Sequence, residues 1–327
     1  MTRREFITLF CCAAVALPFT ANAQQSAKVF RVGYLSGNSA EGGDALLVCF
    51  KDGLKELGWI EGRNIHFDYR WSGGATVPFP ALAAELVQLG PDLIIVSSTP
   101  GAQAVQKATH EVPTVFIAVS DPVASGIVAS LARPGGNLTG VSNFLPATTG
   151  KLLELLKAAA PSARRFAVLR DPNNPGKQLE LRELKTLGDN LGVAIEAVDV
   201  QASDKIEDVF SKVSKMEADA LITLVDGATM IHRYRIVELA TKHRLPAIFQ
   251  VRDFVDAGGL MSYGLNYCQH WRSAAAYADR ILKGNKPADL PVQLPTKFEL
   301  IINLKAAKAI GLTVPPAVLG LADELVE

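Results

Sequence analysis

Short runs of continuous apolar residues alternate along the chain with longer stretches in which apolar residues recur every three or four positions. Residues 29–35 (VFRVGYL), 92–96 (DLIIV) and 114–119 (TVFIAV) are runs of the first kind. Residues 45–57, 81–89 (ALAAELVQL) and 102–108 (AQAVQKA) are of the second. Unbroken apolar strands separated by amphipathic helices predict a parallel sheet covered on both faces. Residues 64–71 (NIHFDYRW) alternate instead, with Ile65, Phe67, Tyr69 and Trp71 on one side and Asn64, His66, Asp68 and Arg70 on the other. That period of two predicts a strand with unlike faces.

The plan restarts after residue 143. A helix over 149–159 carries the stripe Leu152, Leu153, Leu155 and Leu156. Strands follow at 164–170, 193–200, 218–226 and 245–250, with helices at 179–191, 205–216 and 229–243 between them. Two successive α/β units of about 110 residues each are expected. The tail breaks the rhythm with a strand at 258–264, a helix at 271–282, an extended stretch at 290–304 and a short helix. One lone strand and then another cannot build a third core. The tail is therefore expected to rejoin the two existing sheets, with several crossings between units.

The first 23 residues stand apart. Arg3 and Arg4, an apolar run over 6–17 and the Ala21-Asn22-Ala23 ending are the three parts of a secretory signal peptide, removed after Ala23. The apolar run, about 12 residues, falls short of the roughly 20 that a spanning helix needs. TRREFI also fits a twin-arginine signal, with general secretion as the alternative. Either route predicts a periplasmic protein. Cys11 and Cys12 lack the setting of a lipidated cysteine.

Without the leader the formal charge is −1 and no Lys/Arg cluster remains, which argues against nucleic acid. Cys49 and Cys268 are the cysteines left, and export permits a disulfide between them. Cys49 shares a helical spacing with Leu46, Phe50, Leu54 and Leu57, which predicts a buried thiol.

Enzyme signatures are lacking. TTGKLL has Leu145 where a phosphate loop needs its first glycine and Leu152 where it needs Ser or Thr. GYLSGN and GLMSYG miss the spacing of a nucleophile elbow, and no G-x-G-x-x-G follows the first strand. His66, His110, His232, His243 and His270 show no metal-ligand spacing, so surface or capping roles are expected for them.

What recurs is a small polar cluster after nearly every strand. Ser36-Gly37-Asn38, Ser97-Ser98-Thr99 and Ser120-Asp121-Pro122 lie in the first unit, and 171–175 (DPNNP) and 226–229 (DGAT) in the second. Ligands of doubly wound sheets sit beyond the carboxyl ends of the strands. Each cluster also opens a helix, whose free N–H groups favour an anion. Taken singly, each is a good N-cap. Two facing lobes would bring all five to one cleft, where Asp121 and Asp226 fit a ligand ammonium and Ser98 and Thr99 a carboxylate. Tyr34, Phe144, Phe249 and Tyr263 are candidate apolar walls, although each taken alone reads better as core packing.

The stretches EGRNIHFDYRW, DPVASGIVASLARPGGNLTGVS, AVLRDPNNP and LPTKFELIINLKAAKAIGLTVPP resemble the ABC transporter substrate-binding proteins related to those of tryptophan and tyrosine importers. The resemblance covers essentially the whole chain beyond the leader. It implies a type I periplasmic binding fold, with two doubly wound α/β lobes joined by a multi-crossover hinge. The lobes are expected at 28–143 plus about 252–290 and at 144–251 plus about 291–327, with the first hinge near Phe144. The family's cleft positions fall on Ser36, Asn38, Ser98, Thr99, Ser120, Asp121, Asn173, Asn174, Asp226, Gln250 and Tyr263.

The same resemblance implies a monomer without catalytic residues, cofactor or metal. Its partners would be a small-molecule ligand and an ABC permease in the inner membrane. An aromatic amino acid or related carboxylate is the implied ligand, with a nucleoside or sugar, or a role feeding a membrane sensor, as alternatives. A transcription regulator on this fold would carry a helix-turn-helix where the signal peptide stands.

Overall fold

A computed structural model describes residues 28–39, 45–74, 76–143 and 146–327. The expected leader and Phe144 lie outside the described residues.

The first sheet holds β1 (Phe30–Ser36), β2 (Ile65–Trp71), β3 (Leu93–Ser97), β4 (Thr114–Val119) and β5 (Leu138–Ser142) in the order β2-β1-β3-β4-β5. All four pairings are parallel. Helices α1 (Ala45–Glu56), α2 (Phe79–Gln88) and α3 (Thr99–Ala108) connect the strands. Parallel neighbours require crossovers, and these place α2 and α3 on one face and α1 on the other, as the two separate core clusters record. The alternating strand β2 is an edge, and its aromatic side stacks Phe67 on Tyr69 and Tyr69 on Trp71 with ring centroids 5.6 and 6.2 Å apart.

The second sheet runs β12-β11-β10-β9-β8-β6-β7. Its strands are β6 (Arg165–Arg170), β7 (Ala194–Asp199), β8 (Ala220–Thr223), β9 (Ala247–Phe249), β10 (Met261–Leu265), β11 (Phe298–Asn303) and β12 (Glu324–Val326). Only β10 and β11 pair antiparallel. Around it lie α4 (Pro146–Ala159), α5 (Pro175–Leu191), α6 (Ile206–Lys215), α7 (Gly227–Ile231), α8 (Arg233–Lys242) and α9 (Asp253–Asp256). Then α10 (Tyr267–Leu282) returns to the first sheet, while α11 (Leu304–Ala309) and α12 (Pro316–Leu319) stay with the second. Local chemistry sets the bounds. Asn174 caps α5 and Pro175 opens it, while Gly192, at φ 64°, ends it in the left-handed conformation that glycine adopts without cost.

The chain passes between the sheets three times. The first passage follows β5, and the second is Leu265–Asn266, between β10 and α10. The third leads from Gln293, which bridges to Val141 at the edge of the first sheet, to β11 in the second. The expectation that residues from about 252 belong with the first lobe is corrected here. Met261 and Ser262 pair with Ile248 and Phe249, so the stretch through residue 265 belongs to the second sheet. The apolar run at 258–264 shows a strand but not its partner.

A disulfide joins Cys49 of α1 to Cys268 of α10, with Cα atoms 5.3 Å apart. The buried-thiol expectation for Cys49 is thereby corrected. Its helical spacing is real, but a second helix packs on that face and brings Cys268 to it.

Candidate functional site

The carboxyl ends of both sheets open on one cleft between the lobes. The reason is geometric: β1–β5 in the first sheet and β6–β10 in the second each point one way, and the loops that follow these strands lie at that end. From the first lobe come Asn38, Ser98, Ser120 and Asn143, and from the second Asn174, Lys177, Asp226 and Asp253. Apolar surface comes from Leu46, Met230, Val251, Tyr267 and Trp271.

The loops after β3 and β4 are strained. Ser98 sits at φ 78°, ψ 154°, a region nearly restricted to glycine, and its Oγ accepts the N–H of Gly101 at the start of α3. Ala118 and Asp121 also have positive φ, 55° and 38°, and the β4–β5 register shifts between Ile117 and Val119. Such conformations cost roughly 1–3 kcal/mol each and cluster at ligand sites. The bulge re-aims the backbone so that Ser120 meets the cleft while Asp121 turns aside to accept the N–H of Ala124.

The lobes touch across the cleft. A Cβ on Gly227 would stand 2.4 Å from the carbonyl oxygen of Gly37, and one on Gly176 would stand 2.6 Å from Ser120 Cβ. Glycine is needed at both places because backbone of one lobe meets the other. Ser120 Oγ donates across this contact to Glu180 Oε1 at 2.8 Å.

Glu180 belongs to a buried network. Lys177 Nζ donates to Glu180 Oε1 at 2.7 Å, with both side chains 3% exposed. Gln250 Nε2 donates to Glu180 Oε2 at 2.6 Å, and Gln250 Oε1 accepts the N–H of Val225 at 2.7 Å. The charge of Lys177 is thus matched inside the second lobe. That matching is what permits its burial.

Asp226 caps α7 through Thr229, and its other oxygen accepts the N–H of Asp171 at 3.0 Å. Desolvation, with the nearby Asp171, pushes its carboxyl up to about 6. A carboxylate so placed gains from a cation in the cleft.

Among the described residues, Trp271 and Asn143 both line the cleft, and each has a buried polar atom without a partner, the indole N–H of Trp271 and Oδ1 of Asn143. Asn143 spends its amide N–H on the hydroxyl of Tyr267 at 3.4 Å. The rings of Tyr267 and Trp271 lie 5.6 Å apart. Buried donors and acceptors are nearly always paired, so one of each left open in a cleft suits a polar ligand.

Asn38, Ser98, Ser120, Asn174 and Asp226, five of the expected residues, line this cleft. Ser36 lies buried beneath it, its Oγ taking up the N–H of Asn38, and Thr99 is buried with its Oγ1 accepting from Ser120 N. Asn173 faces a separate rim groove with Gly74 and Gln201. Gln250 and Tyr263 line a small adjoining groove at the hinge. Tyr34 and Phe249, suggested as walls, are wholly buried in the two cores. The aromatic wall consists of Tyr267 and Trp271 instead, which a reading of strand ends cannot find because they sit in the first turns of a helix. Lys177 and Glu180 escaped for the same reason.

His270 is also corrected. It is buried against β5, where desolvation lowers its ring to about 4 despite a bond to the Val141 carbonyl. Among the described residues no group of His, Cys, Asp and Glu could hold a metal ion.

The fold is that of type I periplasmic binding proteins. The chain belongs to the ABC transporter substrate binding protein family, whose model matches residues 38–326. It is 28% identical over 264 residues, 80% of this chain and 75% of the other, to a tyrosine-binding protein of Clostridioides difficile (strain R20291). An ABC domain from Streptococcus pneumonia, solved in complex with L-Trp, is 26% identical and matches with a TM-score of 0.84 over 91% of this chain and all (100%) of that one. A ligand-free, open substrate binding protein with adhesive properties from Clostridium difficile is 27% identical. It covers 91% of this chain and 99% of its own at a TM-score of 0.65. The lower score at nearly the same identity and coverage agrees with the closed contact of the two lobes here.

Proposed function

We propose that this protein is the exported solute receptor of an ABC importer, capturing an aromatic amino acid or related carboxylate between its lobes. The observation that carries the reading is the unpartnered Trp271 N–H and Asn143 Oδ1, buried beside the Tyr267 ring where the lobes meet. An aromatic zwitterion supplies complementary groups. Its carboxylate accepts from the indole N–H, its ammonium donates to Asn143 Oδ1 with Asp226 near, and its ring packs on Tyr267 and Met230. The tyrosine-binding and L-Trp-bound relatives support this ligand class.

Capture works by difference. Asn143 and Trp271 belong to the first lobe and Asp226 and Asn174 to the second. A ligand touching both sets stabilises the closed state by its extra affinity there. Closure turns about the three passages between the sheets. The closed form then meets a permease of the inner membrane, after export and loss of the leader beyond Ala23. The receptor acts as a monomer, without catalysis, cofactor or nucleic acid.

The test is a thermal-shift panel of amino acids, aromatic acids, sugars and nucleosides on the purified protein. Ligand at a hundred times its Kd stabilises by about 2.7 kcal/mol, a shift of several degrees. The reading expects the shift to be confined to aromatic amino acids and aromatic acids. A response to sugars or nucleosides alone contradicts it.

A further inference from the structure

The disulfide lies directly behind the aromatic wall of the cleft. Cys268 is flanked in α10 by Tyr267, one residue before it, and Trp271, three residues after it, and both line the cleft. Its partner Cys49 follows Leu46 by three residues on α1, and Leu46 lines the cleft as well. One bond therefore joins the two helical turns that carry three of the cleft's apolar side chains.

Its place along the chain matters equally. Cys268 comes two residues after Leu265–Asn266, the second passage between the sheets. Opening of the lobes must be absorbed by backbone rotation in passages of this kind. Further along, α10 is held to α1 by other means. Ala275 approaches Gly53 so closely that a Cβ there would stand 2.9 Å away, and Arg272 pairs with Glu56 at 2.7 Å. Trp59 donates to Asp279 at 2.9 Å. Those ties hold the body of the helix, while its first turn is held by the Asn266 cap on Gln269 N–H, by the Asn143–Tyr267 hydrogen bond and by the disulfide, the one covalent tie.

We propose that Cys49 and Cys268 are positioning residues of the ligand site. Their bond keeps Tyr267 and Trp271 fixed to the first lobe when the lobes part, and so confines the rotation of the second passage to the residues before Cys268. The open form thereby presents a preformed half-site, and the ligand does not have to order two aromatic side chains on arrival. Ordering such side chains lowers affinity, so the preformed wall strengthens binding about tenfold. This inference rests on reading the cleft as a ligand site, but its structural core can be tested without ligand.

The test compares the oxidised protein with the Cys49→Ser/Cys268→Ser double variant, well below the unfolding temperature of both. Hydrogen exchange read by mass spectrometry over residues 266–272 is the first measurement. The expected result is exchange at least tenfold faster over 266–272 in the variant, with the amides of β1, β3 and β4 unchanged. Equal exchange over 266–272, or a rise spread evenly through α1 and the first sheet, overturns the proposal and leaves the bond a general staple. Should the variant not fold, the native chain reduced with a phosphine serves in its place. Titration with L-tyrosine and L-tryptophan is the second measurement, with about tenfold weaker binding expected in the variant. If neither amino acid binds the oxidised protein, the ligand reading fails while the exchange result still decides this one. If they bind both proteins equally, the positioning role is overturned.

Discussion

Ser120 Oγ donates a 2.8 Å hydrogen bond to Glu180 Oε1 although the two residues belong to different lobes. Glu180 is already paired with Lys177 and Gln250, all within the second lobe. The second lobe therefore keeps its charges matched whether open or closed, and closing adds one hydrogen bond to a charged acceptor. Such bonds contribute about 1.5–3 kcal/mol. Ser120→Ala is expected to shift the unliganded protein toward the open form and weaken ligand binding by roughly tenfold or more. Small-angle scattering checks the first effect and calorimetric titration the second. Unchanged scattering and unchanged Kd would show that the contact contributes nothing to closure.

The Lys177–Glu180 pair answers differently to single and double replacement. Lys177→Met leaves Glu180 buried beside an apolar side chain, which is expected to cost about 3–5 kcal/mol in denaturant unfolding. Replacing both, as Lys177→Met with Glu180→Leu, removes the uncompensated charge and should restore most of that stability. The double variant also loses the acceptor for Ser120, so it should fold well and bind poorly. Equal losses in the single and double variants would argue against a matched pair.

Two titrations oppose one another below neutral pH. Asp226 is raised in the folded state to about 6, so the folded protein holds the extra proton between about 4 and 6, and this group's contribution to stability rises as pH falls. His270 is lowered to about 4 from its usual 6.5, so the unfolded chain holds the extra proton and stability falls as pH falls from about 6.5 to 4. Each contribution is on the order of 3 kcal/mol. Between pH 4 and 6 the two largely offset. Asp226→Asn is expected to expose the loss due to His270, giving a steeper fall in stability below pH 6 than in the native protein. Denaturation midpoints measured from pH 4 to 7 decide it, and parallel curves would refute the assignment.

Trp271→Phe removes the indole N–H and keeps an aromatic ring at the wall. The smaller phenyl leaves a cavity in the core, so the ligand-free protein is expected to lose roughly 1–3 kcal/mol, partly offset by loss of an unpartnered buried N–H. Binding of a carboxylate-bearing ligand should weaken by roughly tenfold to a hundredfold, because that donor is gone. A variant that keeps its Kd would show that the indole N–H does not hold the ligand.

Much of the architecture was legible in the chain. Runs such as 92–96 and 114–119 have no polar side to show, which is the mark of strands covered on both faces, and both are central strands. The alternation of 64–71 shows a strand with unlike faces, and its place at the edge of the sheet comes from the structure. Polar clusters after strands located Ser98, Ser120, Asn174 and Asp226 because topology alone brings those ends together. What the chain did not disclose lies in helices and in long-range pairing. Tyr267 and Trp271 look like ordinary apolar positions of an amphipathic helix until α10 is known to return to the first sheet. Cys49 and Cys268 stand 219 residues apart, and no local pattern encodes their meeting. Asp121 looked like Ser120's equal, yet a positive φ turns it toward Ala124 instead of the cleft.

Isothermal titration of the native protein with L-tyrosine, run beside Trp271→Phe and Asp226→Asn, decides whether one aromatic zwitterion is held at once by Trp271 and Asn143 of the first lobe and Asp226 of the second. Saturable one-to-one binding to the native protein, weakened at least tenfold by either change, is the expected result. No binding of L-tyrosine, L-tryptophan or their deaminated acids to the native protein, or binding that neither change affects, would contradict it.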